Sequence, residues 1–370
     1  MADYFALMLI SVAVAFGGDK LTLGSEYRNK HRRLIICSLI IFILLAGFAG
    51  LRTRCNDTGT YKHGYELISP EQGYDDIAWD IGSNPLFNVV NIWLKTGGVS
   101  TQNFLMFWAL VTVGCYIIFV HKYSSDYAIS IFLLFTTGCY GFVFAGIKQA
   151  AAVGIALIGV VYALKKKWVP YVACIAIATL IHPYSLMYLI VPFMQFEPCG
   201  KKTILLLIVA ILGGLFLRPL LGTVVSITSM IGEEYTVSEF SDSGVNIFRV
   251  LVCNVPTVLA FMYRKQLFVD STNEENLMVN LAMINGAIMF IGLFGTANYF
   301  ARLANYFLIF QSISLPWMLK KIGGKNRQIL TVLMIMGYLM YFYYENMIAI
   351  PFDQDFARIS VAEYFEQMGR

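Results

Sequence analysis

Eight residues spread along this chain could do chemistry together: Arg52, Arg54, Asp57, Lys148, Gln149, His182, Arg249 and Arg302. Two arginines and an aspartate fall within six residues in Arg52-Thr53-Arg54-Cys55-Asn56-Asp57, where an apolar run ends. Paired guanidinium groups suit phosphate, through two-pronged charge-assisted hydrogen bonds. A neighbouring carboxylate can take a proton from a hydroxyl. The plainer reading is that both arginines reach for lipid headgroups along their aliphatic stems. Lys148-Gln149 interrupts sequence that is otherwise apolar from Tyr127 to Leu164, and small residues flank it. A charge in such a setting faces a cavity or turns a corner between two helices. His182 closes an apolar run at Ile181-His182-Pro183 and has the titration range of a general base, although a helix-end histidine is also an ordinary structural residue. Arg249 and Arg302 are single arginines in apolar context, and a buried cation needs a carboxylate or an anionic ligand beside it.

The elements that must position these groups are membrane helices. Of 370 residues, 58% are hydrophobic and 14% are charged, against about 25% charged in soluble domains. A bilayer core needs about 20 apolar residues per helix. Apolar runs lie near 3–18, 34–51, 103–120, 127–146, 149–164, 168–182, 184–196, 203–221, 246–263, 277–296, 301–319 and 328–349. They give an all-α, polytopic bundle of about twelve helices in a single integral membrane domain, 1–370. A long outer loop spans 52–84 and a second spans 222–245. The segment Pro85–Lys95 is amphipathic and suits the membrane surface. The first run is preceded by Asp3 and no basic residue, so it reads as a retained helix rather than a cleaved signal.

With an outside N-terminus, the dense basic clusters Lys20–Arg33, Lys165–Lys167, Lys201-Lys202, Arg264-Lys265 and Lys320–Arg327 fall inside, as the positive-inside rule requires. All eight candidate residues then lie on the other side, where positive charge is scarce. The chain reads as a multi-pass membrane protein with its candidate site facing the exterior. A cationic outward cavity in an apolar bundle suits an amphiphile with an anionic head and a lipid tail, such as a sugar linked through pyrophosphate to a lipid. Net charge +4 belongs to the inner loops and gives no reason to expect nucleic acid. The seven cysteines lack CxxC spacing and read mostly as small apolar filler. Zinc motifs, a P-loop and GxSxG are absent, and Asp75-Asp76 with Asp80 reads as a solvated loop. No metal and no cofactor is expected. Tyr61, Tyr74 and Trp79 could stack on sugar rings or anchor at headgroup level.

Taken in order, these residues make the chain resemble the EpsG-type branch of the Wzy-like polysaccharide polymerases over most of its length. The family's early L-R-x-x-x-G-T-D-T-x-x-Y is matched by Leu51-Arg52, Asn56-Asp57-Thr58 and Tyr61, with Cys55-Asn56 in place of Gly-Thr. Its E-P-G-F stretch and L-N pair correspond to Asn84-Pro85-Leu86-Phe87 and Val90-Asn91, so the acidic position is an amide here. Its R-Q-x-x-A corresponds to Lys148-Gln149-Ala150-Ala151-Ala152, which keeps the charge but loses the fork of a guanidinium. Its helix-end histidine matches His182, and its R-x-x-x-Y-F matches Arg302 with Tyr306-Phe307. The resemblance implies a glycosyltransferase-C-like bundle and a metal-independent membrane glycosyltransferase that makes exopolysaccharide, capsule or O-antigen. It would move a growing glycan from an undecaprenyl pyrophosphate carrier to the next lipid-linked repeat unit. On this reading, at the outer face of a bacterial inner membrane, the residues' own chemistry makes Asp57 or His182 the base, and Arg52, Arg54, Lys148, Gln149, Arg249 and Arg302 the substrate and pyrophosphate ligands. Membrane lipids, a chain-length regulator and a flippase are the implied partners. A flippase or transporter of lipid-linked oligosaccharide, an O-antigen ligase-like transferase and an envelope scaffold are the competing readings.

Overall fold

A computed structural model describes residues 2–22, 27–216, 223, 225–227, 229–230, 244–294, 297–349 and 355–356. Most of the expected outer loop 222–245 therefore lies outside the described residues, as does the C-terminal tail. The twelve apolar runs all hold helix among the described residues, and five of them, 328–349 with its terminal π turn included, differ from a single straight α-helix. The elements are α1 (Ala2–Thr22), α2 (Tyr27–Gly50), β1 (Arg52–Arg54), α3 (Thr58–Glu66), α4 (Pro85–Thr96), α5 (Thr101–Tyr123), α6 (Tyr127–Thr136), α7 (Phe142–Ala145), α8 (Ile147–Leu164) and α9 (Trp168–Ile181). There follow a 3₁₀ segment (Pro183–Met194), α10 (Lys201–Leu215), α11 (Ile247–Cys253), α12 (Val255–Met262), α13 (Arg264–Leu267), α14 (Asn273–Ile291), α15 (Ala297–Asn305), α16 (Ile309–Ile322), α17 (Gly324–Tyr343), a π turn (Tyr344–Ala349) and β2 (Asp355–Phe356). The two short strands pair antiparallel, Arg52 opposite Phe356.

Three helices are long and apolar enough to cross a membrane by length and composition: Ala2–Lys20, Thr101–Tyr123 and Ile147–Leu164; shorter apolar helices accompany them. Their outward faces carry Leu9, Ile43, Ile118, Val172, Leu205, Leu333 and Met340, each more than half exposed except to its own chain. Apolar surface on this scale needs lipid rather than water around it. The chain is a multi-pass helical membrane protein.

The breaks in the expected helices have local causes. The run 127–146 divides into α6 and α7 at Gly138, whose φ of +84° is a conformation that a side chain strains. The run 246–263 divides at Asn254, with Pro256 in the first turn of α12, where a missing N–H costs nothing. The run at 184–196 is 3₁₀ rather than α, with Pro183 at its start and Pro192 inside it. A further break separates α15 from α16 at Tyr306–Leu308.

Packing follows two groups. In one, α1, α2, α5, α8 and α9 pack successively side by side. In the other, α14 gathers α10, α11, α12, α15 and α16. Helix α6 touches α1, α16 and α17, and the 3₁₀ segment touches α8, α9 and α14, so these two elements join the groups. The broken ends of α7, α8, α9, α11, α15 and α17 meet around a shared space.

Candidate functional site

The space has two adjacent parts that share lining residues. The larger cavity holds about 700 Å³ and is lined by Arg54, Asn56, Asp57, Thr136, Thr137, Gly138, Ala145, Arg249, Arg302, Asn305, Tyr341, Glu345 and Asn346, among others. The smaller is a cleft of about 80 Å³ lined by Asp57, Tyr61, Ala145, Gly146, Lys148, Gln149, His182 and Arg302. Asp57, Ala145 and Arg302 line both. Residues separated by up to 292 positions thus come together because each sits where a helix ends or breaks, and a broken helix leaves backbone and polar side chains facing a cavity.

Asp57 and Arg54 reach the cavity from the link between α2 and α3. Asn56, in the place of the threonine in the family pattern, takes a left-handed turn at φ 43°, a conformation asparagine tolerates better than most side chains. Asp57 stands at the N-cap of α3 but makes no side-chain cap hydrogen bond, so its carboxylate is turned to the cavity instead. Lys148 and Gln149 lie in the first turn of α8, immediately after the α7 break. Gly146 is tight here: a Cβ on it would stand 3.1 Å from Gln149 Oε1 and 3.3 Å from Phe142.

His182 is 1% exposed. The Gln149 side-chain nitrogen lies 3.2 Å from its Nε2, and the Tyr306 hydroxyl lies 2.7 Å from its Nδ1. With the amide N–H donating, Nε2 accepts, and Nδ1–H donates to the tyrosine oxygen. Both ring nitrogens are therefore committed to side chains from other elements. Tyr61 stands across the cleft. Its hydroxyl is pushed up to about 12, first by burial and then by the charge of Asp57, against the opposing contact with the Lys148 backbone.

The joint that carries Arg302 is pinned by a buried polar network. Tyr188 donates its hydroxyl to the Tyr306 carbonyl at 2.5 Å. Asn285 donates to the Ala304 carbonyl at 2.6 Å. Gln311 donates to Asn285 Oδ1 at 2.7 Å, and Tyr338 donates to Gln311 Oε1 at 3.0 Å. Asn285 and Gln311 are fully buried, where unpaired amides would be costly and satisfied ones fix a single geometry. Arg302, one turn before that joint, makes no ion pair among the described residues.

The eight expected residues divide in their placement. Asp57, Lys148, Gln149, His182 and Arg302 meet in the small cleft, while Arg54 and Arg249 line only the large cavity. Arg52 lines neither. It is 1% exposed, donates Nε–H to the Thr58 hydroxyl at 2.9 Å and Nη1–H to the Ala49 carbonyl, and lies over the Phe144 ring. It braces the corner where α2, α3 and α7 meet. Arg249 holds Glu345 two-pronged, with contacts of 2.6–3.0 Å. Glu345 and the network of Asn285, Gln311 and Tyr338 were not among the sequence candidates. Glu345 reads there as an ordinary helix-end residue, 96 positions from its partner. Asp80, expected in a solvated loop, caps a short 3₁₀ turn, where Ser83 holds its carboxyl below the usual range. Among the described residues no three His, Cys, Asp or Glu gather as metal ligands.

The EpsG family model matches residues 35–356. The chain belongs to the EpsG family. No curated protein and no solved structure matched the chain. The EpsG match takes in the cavity-lining residues named above, from Arg54 to Asn346. Membership makes this a membrane protein of the polysaccharide-polymerase type, consistent with glycosyl transfer. Its EpsG sequence pattern at Arg302, Tyr306 and Phe307 falls on the pinned joint between α15 and α16.

Proposed function

We propose that this protein is a polysaccharide polymerase that transfers a growing glycan from undecaprenyl pyrophosphate to the next lipid-linked repeat unit, at the outer face of the bacterial inner membrane. The observation that carries the reading is the convergence of one uncapped carboxylate, Asp57, with Lys148, Gln149 and Arg302 on a cleft that shares part of its wall with a cavity of about 700 Å³. Among the described residues, three arginines and two carboxylates line the large cavity and a lysine is added in the cleft, so cations outnumber carboxylates there.

In this reading an acceptor hydroxyl oxygen attacks the anomeric carbon of the donor sugar. The bond from that carbon to the pyrophosphate oxygen breaks, and the electron pair leaves with the diphosphate. Asp57 takes the hydroxyl proton. It is preferred to His182 because both histidine ring nitrogens already serve Gln149 and Tyr306. Arg302, Arg54 and Lys148 meet the negative charge that develops on the leaving group, which is where pre-placed cations accelerate most. Those cations supply the role a metal has elsewhere, so the transfer is metal-independent. Gln149 hydrogen-bonds sugar or phosphate. Arg52 acts at one remove, by holding the Arg54–Asp57 link.

The experiment is deletion of the gene in its native host, complemented by wild type or Arg302→Ala, with surface glycan profiled by length. Loss of long chains while single repeat units persist on the surface supports polymerisation. Total loss of exported units points to translocation, transfer to a different acceptor points to a ligase, and an unchanged glycan refutes the carbohydrate reading.

A further inference from the structure

Two arginines of the large cavity differ in one respect that matters for what each can bind. Arg302 has no ion pair among the described residues, whereas Arg249 is locked to Glu345 by Nε and Nη2, with the closest contact at 2.6 Å. The pair is on the cavity wall, with 24% and 15% of the two side chains exposed. It is held there from separate elements, α11 and the π turn that ends α17. Single π turns occur often at functional sites.

A phosphate approaching Arg249 would have to expel the Glu345 carboxylate or lie beside it, like charge against like charge. A neutral polyol meets neither obstacle. The ion pair leaves both Nη1 hydrogens, the second Nη2 hydrogen and the outer lone pairs of the carboxylate for other partners. Donors and acceptors thus stand side by side at no net charge, which is what adjacent sugar hydroxyls require. Asn305 and Asn346 line the same cavity and add amide groups of both kinds.

We infer that the Arg249–Glu345 pair, with Asn305 and Asn346, is a glycan subsite that binds uncharged sugar hydroxyls, and that pyrophosphate is confined to the Arg302 end of the cavity. This rests on the transferase reading for its choice of substrate but differs from it in what would overturn it.

The test uses the purified full chain in nanodiscs and two probes: inorganic pyrophosphate, and oligosaccharides released from the host's own surface polysaccharide. Binding of each is measured for wild type, Glu345→Gln, the double variant Arg249→Met with Glu345→Gln, and Arg302→Ala. The double variant guards against unfolding caused by an unpaired buried arginine. Expected are at least a fivefold loss of oligosaccharide affinity in both pair variants, with pyrophosphate affinity held within twofold. In wild type, saturating pyrophosphate should leave oligosaccharide binding intact, a readout that needs no variant. Tighter pyrophosphate binding in Glu345→Gln would show that Arg249 belongs to the anion site and overturn the inference. So would unchanged oligosaccharide binding, loss of both probes together, or competition between them in wild type. If Arg302→Ala leaves pyrophosphate binding unaltered while the pair variants still lose the oligosaccharide, the glycan subsite stands and the pyrophosphate assignment falls.

Discussion

Asn285→Leu is the sharpest probe of how Arg302 is positioned. The side chain is fully buried and makes two bonds, donating to the Ala304 carbonyl at 2.6 Å and accepting from Gln311 at 2.7 Å. Leucine fills the volume and makes neither. The Ala304 carbonyl keeps the Phe307 N–H at 2.9 Å, so only the net value of one bond is lost there, about 0.5–1.5 kcal/mol. One N–H of Gln311 is left unsatisfied, at about 1–3 kcal/mol. The expected destabilisation is therefore about 1.5–4.5 kcal/mol, read by reversible unfolding in mixed detergent micelles. Adding Gln311→Leu removes the orphaned donor, so the double variant should cost less than the sum of the singles by about 1–3 kcal/mol. Ala304 is two residues from Arg302, so turnover should also fall, by about tenfold or more for a displacement near 1 Å. Additivity of the two substitutions, or full turnover in Asn285→Leu, would refute the claim that this network fixes the joint.

Three further outcomes follow from the geometry. Gly146→Ala should lower turnover several-fold with a stability change below about 1 kcal/mol, because the new Cβ presses on Gln149 at 3.1 Å; steady-state transfer and unfolding measured together check this. Arg52→Met should destabilise the fold by about 2–3 kcal/mol through its lost hydrogen bonds, while KM for the lipid-linked unit stays within about twofold, since the side chain lies behind the wall. Tyr61→Phe should leave the pH–rate profile unaltered below pH 10. The hydroxyl stays neutral until about 12, so a limb near pH 9–10 that vanishes in the variant would contradict the geometry.

The apolar runs were legible because burial in lipid demands an unbroken length of hydrophobic sequence, and all twelve hold helix. The gathering of Asp57, Lys148, Gln149, His182 and Arg302 was legible for a different reason. Each is a polar residue at the end of an apolar run, and the sorting of basic clusters put those ends on one side. What the sequence withheld was direction and partnership. Arg52 and Arg54 are two residues apart, a spacing that shares one face in a regular strand, but the register is irregular between them, and Arg52 turns inward to Thr58 and Phe144 while Arg54 lines the cavity; their identical chemistry hides that difference. The Arg249–Glu345 pair spans 96 positions and has no local spacing to reveal it. The breaks at Gly138 and at Tyr306–Leu308 were hidden inside apolar stretches, because hydropathy reports depth in the bilayer and not the backbone path. Asn285 and Gln311 look like interruptions of such stretches until their mutual bond is seen.

In the proposed transfer, cations of this chain, and no metal, carry the leaving diphosphate. The most direct test incubates the purified protein in detergent, without any sealed membrane and with excess EDTA, with the lipid-linked repeat unit, and follows product length for wild type and Arg302→Ala. Wild type should lengthen the glycan in EDTA, and Arg302→Ala should slow lengthening by about 10²–10³-fold while remaining folded. Lengthening that stops in EDTA and returns with a divalent ion, or that proceeds at the wild-type rate in Arg302→Ala, would contradict that role of the cations.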